Sequence, residues 1–154
     1  VTVKPVSFIC IEILSFLLHI LHTLFHTHIQ KKEKNALVKI NCLKIWDSNE
    51  KKIIHEAVHK ALFDAFHIES WDFFHRFQEF EKEDFLYPSF KTDNFMIIEI
   101  TVFPGRTEEM KAALYKNIWD NLSSLGLTPD DIFIQITEQP LCNWGIGGKI
   151  KTMK

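Results

Sequence analysis

Two stretches of this chain repeat each other, and no other feature restricts its folding as tightly. Val38-Lys39-Ile40-Asn41 reads as a short strand, and Ile98-Glu99-Ile100-Thr101 reads as another 60 residues later. A helix is predicted after each. The first begins near Asp47 or Ser48, residue types that cap helices, and carries Ile54, Val58, Ala61, Leu62, Ala65 and Phe66 at helical spacing. The second begins at Thr107, with Glu108 and Glu109 in the first turn, where carboxylates complement the helix dipole. Its apolar stripe is Met110, Leu114, Ile118, Leu122 and Leu125, and Gly126 is a natural stop.

Each helix leads to a second strand, through Ile68 to Asp72 into Phe73–Glu79, and through Leu127 to Asp131 into Ile132–Glu138. The Thr128-Pro129 step predicts a short helical turn. Asp72 pairs with Asp131 and Glu79 with Glu138 at a spacing of 59, so the first unit holds one extra residue. Two β-α-β units are thus joined by the loop from Phe80 to Asn94. Right-handed crossovers then give an α+β sandwich in which a four-stranded sheet packs on two helices. One face of that sheet is left without cover, and an apolar open face calls for a second copy of the chain.

Composition restricts the rest. Among 154 residues, 46% are apolar and 25% charged, as in a chain with a real core. The net charge of −2 lacks the basic surplus that general nucleic-acid binding requires. Cys10, Cys42 and Cys142 match neither a disulfide framework nor a zinc pattern, which indicates a reducing compartment with two of them acting as small core residues. Apolar density is highest from Val6 to Phe25 and ends in the charged run Lys31 to Lys34, which places a domain boundary near Asn35.

Residues 6–25 are long enough to span a membrane, yet Glu12, Ser15, His19, His22 and His26 draw a polar stripe along them. Four readings stay open: a signal anchor with a cytoplasmic domain behind it, an amphipathic surface helix, a cleaved signal peptide, or a segment foreign to the folded protein. Any membrane contact would run through these residues. His19, His22, His26 and His28 share a helical spacing but lack partners for a defined metal set, so no metal is expected.

From residue 36 to residue 154 the motifs fall in a recognisable order. Ala36-Leu37-Val38-Lys39-Ile40, Asp93 to Ile100, Phe103-Pro104-Gly105-Arg106-Thr107, Leu114-Tyr115-Lys116 and Asn143-Trp144-Gly145-Ile146 resemble the fused, long-chain tautomerase family. Within it the chain is most similar to the malonate semialdehyde decarboxylase-like branch. The resemblance implies the fold shared with macrophage migration inhibitory factor, a homotrimer, and cofactor-free chemistry on small keto, enol or semialdehyde carboxylic acids. It also implies an amino-terminal proline whose amine, near neutral in pKa, moves a proton between carbon and oxygen or polarises a carbonyl. The proline position falls on Ala36, the carboxylate that positions water on Asp72, and the two substrate-holding arginines on Pro104 and Arg106. The aromatic and apolar pocket positions fall on Phe74, Trp144 and Ile146.

Here the chain departs from the pattern. Ala36 is not proline and follows Asn35, so its nitrogen is an amide without a basic lone pair. Cleavage after Asn35, or a sequence error at that junction, would restore an amine. Each other site residue also has a plain structural reading. Asp72 is a turn former, Arg106 a surface cation, and Trp144 an anchor for the C-terminal segment. Glu79 and Glu138 match across the repeat and read as structural. His55, His59, His67 and His75 read as solvated helix faces or strand ends. Two functions follow: a tautomerase or decarboxylase working through residue 36 with Asp72 and Arg106, or a catalytically silent trimer that keeps the fold.

Overall fold

The computed structural model describes residues 35–152, and the readings placed on residues 1–34, Cys10 included, lie outside them. Strict alternation of inward and outward side chains builds β1 (Ala36–Leu43) and β3 (Met96–Val102), the two central strands. The edges are β2 (Phe74–Phe80) and β4 (Ile132–Glu138), in the order β2-β1-β3-β4. β1 runs parallel to β2, β3 runs parallel to β4, and the two halves meet antiparallel between β1 and β3. The strands are longer at the centre than the repeated tetrapeptides indicate, because Ala36 and Val102 still pair across the ladder.

Helix α1 (Ser48–Phe66) starts at Asp47, whose carboxylate accepts from the Asn49 and Glu50 amides at 2.8 Å. Glu50 returns the bond by accepting from the Asp47 amide at 2.8 Å, which closes a capping box. Helix α2 (Glu108–Leu122) starts at Thr107 and tightens into a 3-10 turn at Ser123–Leu125. Both helices end in a left-handed residue, His67 after α1 and Gly126 after the 3-10 turn. The caps lie 60 residues apart and the stops 59, so the tightened last turn accounts for the missing residue of the second unit.

Both helices cover one face of the sheet. Val38, Ile40, Cys42, Met96, Ile98, Ile100 and Val102 meet Ile54, Val58, Leu62, Leu114, Ile118 and Leu122 in a core closed to solvent. Asn121 ties the helices together by donating to the Ala57 carbonyl at 3.0 Å. Burial pushes the Cys42 thiol up to about 12, helped by the nearby Glu79 charge, so it behaves as an inert core residue. Cys142 is exposed, so Cys42 alone serves the core among the described residues, with Cys10 outside them.

Among the described residues no helix covers the opposite face. It is less apolar than expected. Leu37, Phe74 and Phe133 are exposed there, but Lys39, Arg76 and Glu99 stand between them. Asn41 donates to Glu99 at 2.8 Å, and Lys39 lies 3.4 Å from the same carboxylate. The segment from 81 to 95 carries a satellite core of Leu43, Phe85 and Phe95, backed by Phe80, Tyr87 and Ile97. No helix among the described residues is long and apolar enough to cross a membrane.

Candidate functional site

Strand directions collect the candidate residues at one end of the sheet. β1 and β2 begin at this end, while β3 and β4 finish there. Ala36 therefore lies beside Val102, and Asp72 sits just ahead of β2 in a turn where its amide donates to the Glu69 carbonyl at 3.0 Å. Arg106 follows the end of β3 by four residues, immediately before the Thr107 cap. Ala36 and Asp72 are each only 1% exposed, and Asn35 is buried too.

Arg106 is half-buried, with its guanidinium 5.0 Å above the Phe66 ring. Among the described residues, neither its Nε nor its Nη2 finds a hydrogen-bond acceptor. Burial pulls its pKa down, while the Glu138 and Asp72 charges act in the opposite sense and favour the cation. The result is a planar fork of donors kept charged by two nearby carboxylates, with two of its nitrogens lacking an acceptor among the described residues. The loop that carries it is held from β4. Glu138 accepts from the Gly105 amide at 3.1 Å, and Gln139 donates its amide to the Val102 carbonyl at 3.0 Å.

Trp144 closes the same end. It is 8% exposed, donates its indole N–H to the Gln139 carbonyl at 3.3 Å, and sets its ring edge-on to Phe103 with centroids 4.7 Å apart. Ile146 lies beyond it in the hairpin of β5 (Gly145–Ile146) and β6 (Lys149–Ile150). Phe74, paired with Leu37, points to the open face and is half exposed, away from the helix side on which Ala36 is buried. The structure thus groups Ala36, Asp72, Arg106 and Trp144, and sets Phe74 on a different surface.

The opposite end of the sheet is built from the same repeat and is occupied. Asp131, the counterpart of Asp72, accepts from the Thr92 amide at 2.9 Å and the Thr92 hydroxyl at 2.8 Å. Trp46, the counterpart of Arg106, is packed into the main core. Phe66 and Phe103, which shape the Arg106 end, were read as a helix-stripe residue and part of a family motif rather than as site residues. Phe66 reads as one more core position, and only its place at the last turn of α1 distinguishes it.

Three histidines correct the solvated reading given to them. His55 and His59 on α1 face His75 on β2, with ring centroids 5.4 and 5.7 Å from the His75 ring. Phe73 stacks on His75 at 4.4 Å. Burial lowers the pKa of all three, most for His75. Among the described residues no three His, Cys, Asp or Glu side chains converge to hold a metal ion. His67 alone is exposed, as the left-handed cap of α1.

Known proteins share this fold. The family described as "Tautomerase enzyme" matches residues 72–147. Probable tautomerase YusQ of Bacillus subtilis (strain 168) is 28% identical over 100 residues, covering 61% of this chain and 79% of that protein. A malonate semialdehyde decarboxylase inhibited by 3-bromopropiolate superposes with a TM-score of 0.67 at 26% identity, over 72% of this chain and 88% of its own. A fused 4-OT solved as an asymmetric trimer has the same fold, with a TM-score of 0.66 at 18% identity over 74% and 94% of the two chains.

Proposed function

Since the chain belongs to the tautomerase superfamily, we propose that its furnished sheet end binds small keto, enol or semialdehyde carboxylic acids and acts on them by proton transfer or decarboxylation. One observation carries this reading: Arg106 presents unaccepted N–H groups beside Asp72 at the end where β1 begins. Arg106 receives the substrate carboxylate through paired N–H bonds. Asp72 then orients the reacting group or a water, and an amine at residue 36 takes a proton from the enol oxygen and returns one to carbon. In the decarboxylation variant the protonated amine polarises the carbonyl while the carboxylate leaves as carbon dioxide. The likeness to the inhibited malonate semialdehyde decarboxylase supports placing the chain in that branch.

A second reading has its own observation. In the chain as written, residue 36 is joined to Asn35 and its nitrogen is an amide. Without cleavage the defining base is missing, and the chain is a silent member that keeps the assembly. A homotrimer is proposed in either case, supported by the uncovered sheet face and by the trimeric state of the fused 4-OT relative.

Enol-to-keto conversion of phenylpyruvate separates the two. It is measured for the full chain, for a chain beginning at residue 36, and for the latter with Ala36→Pro. The enzyme reading expects activity to rise in that order and to vanish in Arg106→Ala. Equal activity in all three chains refutes the amine's role. Intact-mass analysis and N-terminal sequencing of protein from its native source then decide which form exists.

A further inference from the structure

The repeat places one glutamate–lysine pair at each end of the sheet, and the two pairs are used differently. At the occupied end Glu79 meets Lys51 at 2.8 Å, and at the Arg106 end Glu138 meets Lys111 at 2.8 Å. Lys51 and Lys111 each stand four residues after their helix caps, so the pairs are structural counterparts. The difference lies in the loop between strand and helix. Ile45, the counterpart of Gly105, gives its amide to the Leu43 carbonyl at 2.9 Å and leaves Glu79 out of the loop. Gly105 instead adopts φ 101°, a conformation that disfavours side chains, and turns its amide to Glu138 at 3.1 Å.

We propose that Glu138 is a positioning residue for Arg106: its carboxylate, anchored by Lys111, holds the Gly105 amide and so aims the neighbouring guanidinium at the ligand. The inference rests on the reading of Arg106 as the carboxylate-binding group and adds what sets its orientation. Glu138 does not touch the ligand. It acts by fixing the backbone from which the arginine projects, and its second contact with Arg106 is electrostatic, favouring the charged fork. Glu79 has the same lysine partner without the loop contact, which makes it an internal control.

Phenylpyruvate binding is measured for the full chain as wild type, Glu138→Gln, Glu79→Gln and Arg106→Ala, with amide NMR on Gly105 and Arg106. Loss of the charged acceptor should weaken binding about tenfold in Glu138→Gln, the scale of one charge-assisted hydrogen bond. Glu79→Gln should stay within about twofold of wild type. The Gly105 and Arg106 amide signals should shift only in Glu138→Gln. Where turnover is measurable, that variant should raise KM and leave kcat nearly unchanged. Should it melt, the wild-type Gly105 amide followed through acid reads the same bond. Its shift should move with a carboxyl titrating below the usual range, as the Lys111 contact and the Gly105 amide require. Unchanged affinity in Glu138→Gln, equal weakening in both glutamate variants, or a Gly105 amide that ignores acid overturns the positioning role. Failure of wild type to bind, or full binding by Arg106→Ala, overturns the Arg106 reading itself and the inference with it.

Discussion

Acid should destabilise this domain through His75 before general carboxylate protonation takes over. Burial first, then the neighbouring His55 and His59, push the His75 pKa down to about 3 from the ordinary 6.5. The groups that face it are those two histidines from α1, Phe73 just ahead of its strand and Phe77 on it, with the Lys51–Glu79 pair one step further along. None of its immediate neighbours is a carboxylate that would welcome a proton. The unfolded chain therefore binds the proton more readily than the folded one, and stability rises with pH. The His75 contribution is complete above 6.5 and is lost as pH falls toward 3. At about pH 4.5 the loss is two units at 1.36 kcal/mol each, about 2.7 kcal/mol, or a Tm drop of roughly 10 °C. His55 and His59 shift in the same direction and add to it.

The assay is urea or thermal unfolding as a function of pH for wild type and His75→Phe. Carboxylates contribute equally to both proteins, so the difference isolates His75. Between about pH 4.5 and 6.5 the wild type should be steeper by about 1.4 kcal/mol per pH unit. Parallel curves would refute the reasoning, as would an NMR titration that finds His75 protonating near its ordinary pKa.

Three other outcomes are expected. Asp131→Ala removes a buried carboxylate that accepts from the Thr92 amide and hydroxyl and should cost about 1.5–3 kcal/mol in chemical unfolding, the scale of a hydrogen bond to a charged group. His67→Gly should stabilise the domain by roughly 0.5–1 kcal/mol, read as a raised Tm, since His67 holds φ 53° at the stop of α1. Phe133→Glu, on the uncovered sheet face, should leave the circular dichroism spectrum intact and shift sedimentation toward monomer; an unshifted trimer would place the interface elsewhere.

Much of the fold was legible because the repeat carries its own punctuation. Asp47 and Thr107 start the helices and Gly126 stops one, each by a local mechanism that needs no tertiary information. His67 as the other stop was not legible, since a left-handed histidine has no distinguishing neighbour pattern. The satellite core around Phe85 and Phe95 was hidden for a related reason: its residues have neither strand nor helix period and meet through loop geometry alone. Of the site, Ala36, Asp72 and Arg106 were reached by resemblance, and their convergence is a consequence of strand direction. The histidine cluster escaped because His55 and His59 share a helix face with sequence spacing, whereas His75 arrives from β2. The two aspartates look alike in sequence, and it takes the structure to show that Asp131 accepts from Thr92 while Asp72 lies near Arg106.

Duplication supplied this chain with two equivalent ends, and Trp46 and Thr92 have closed one of them. That closure sets a binding stoichiometry. If the proposed function holds, the described residues of each protomer offer one carboxylate receptor however many chains assemble, and a saturation titration should plateau at one ligand per chain.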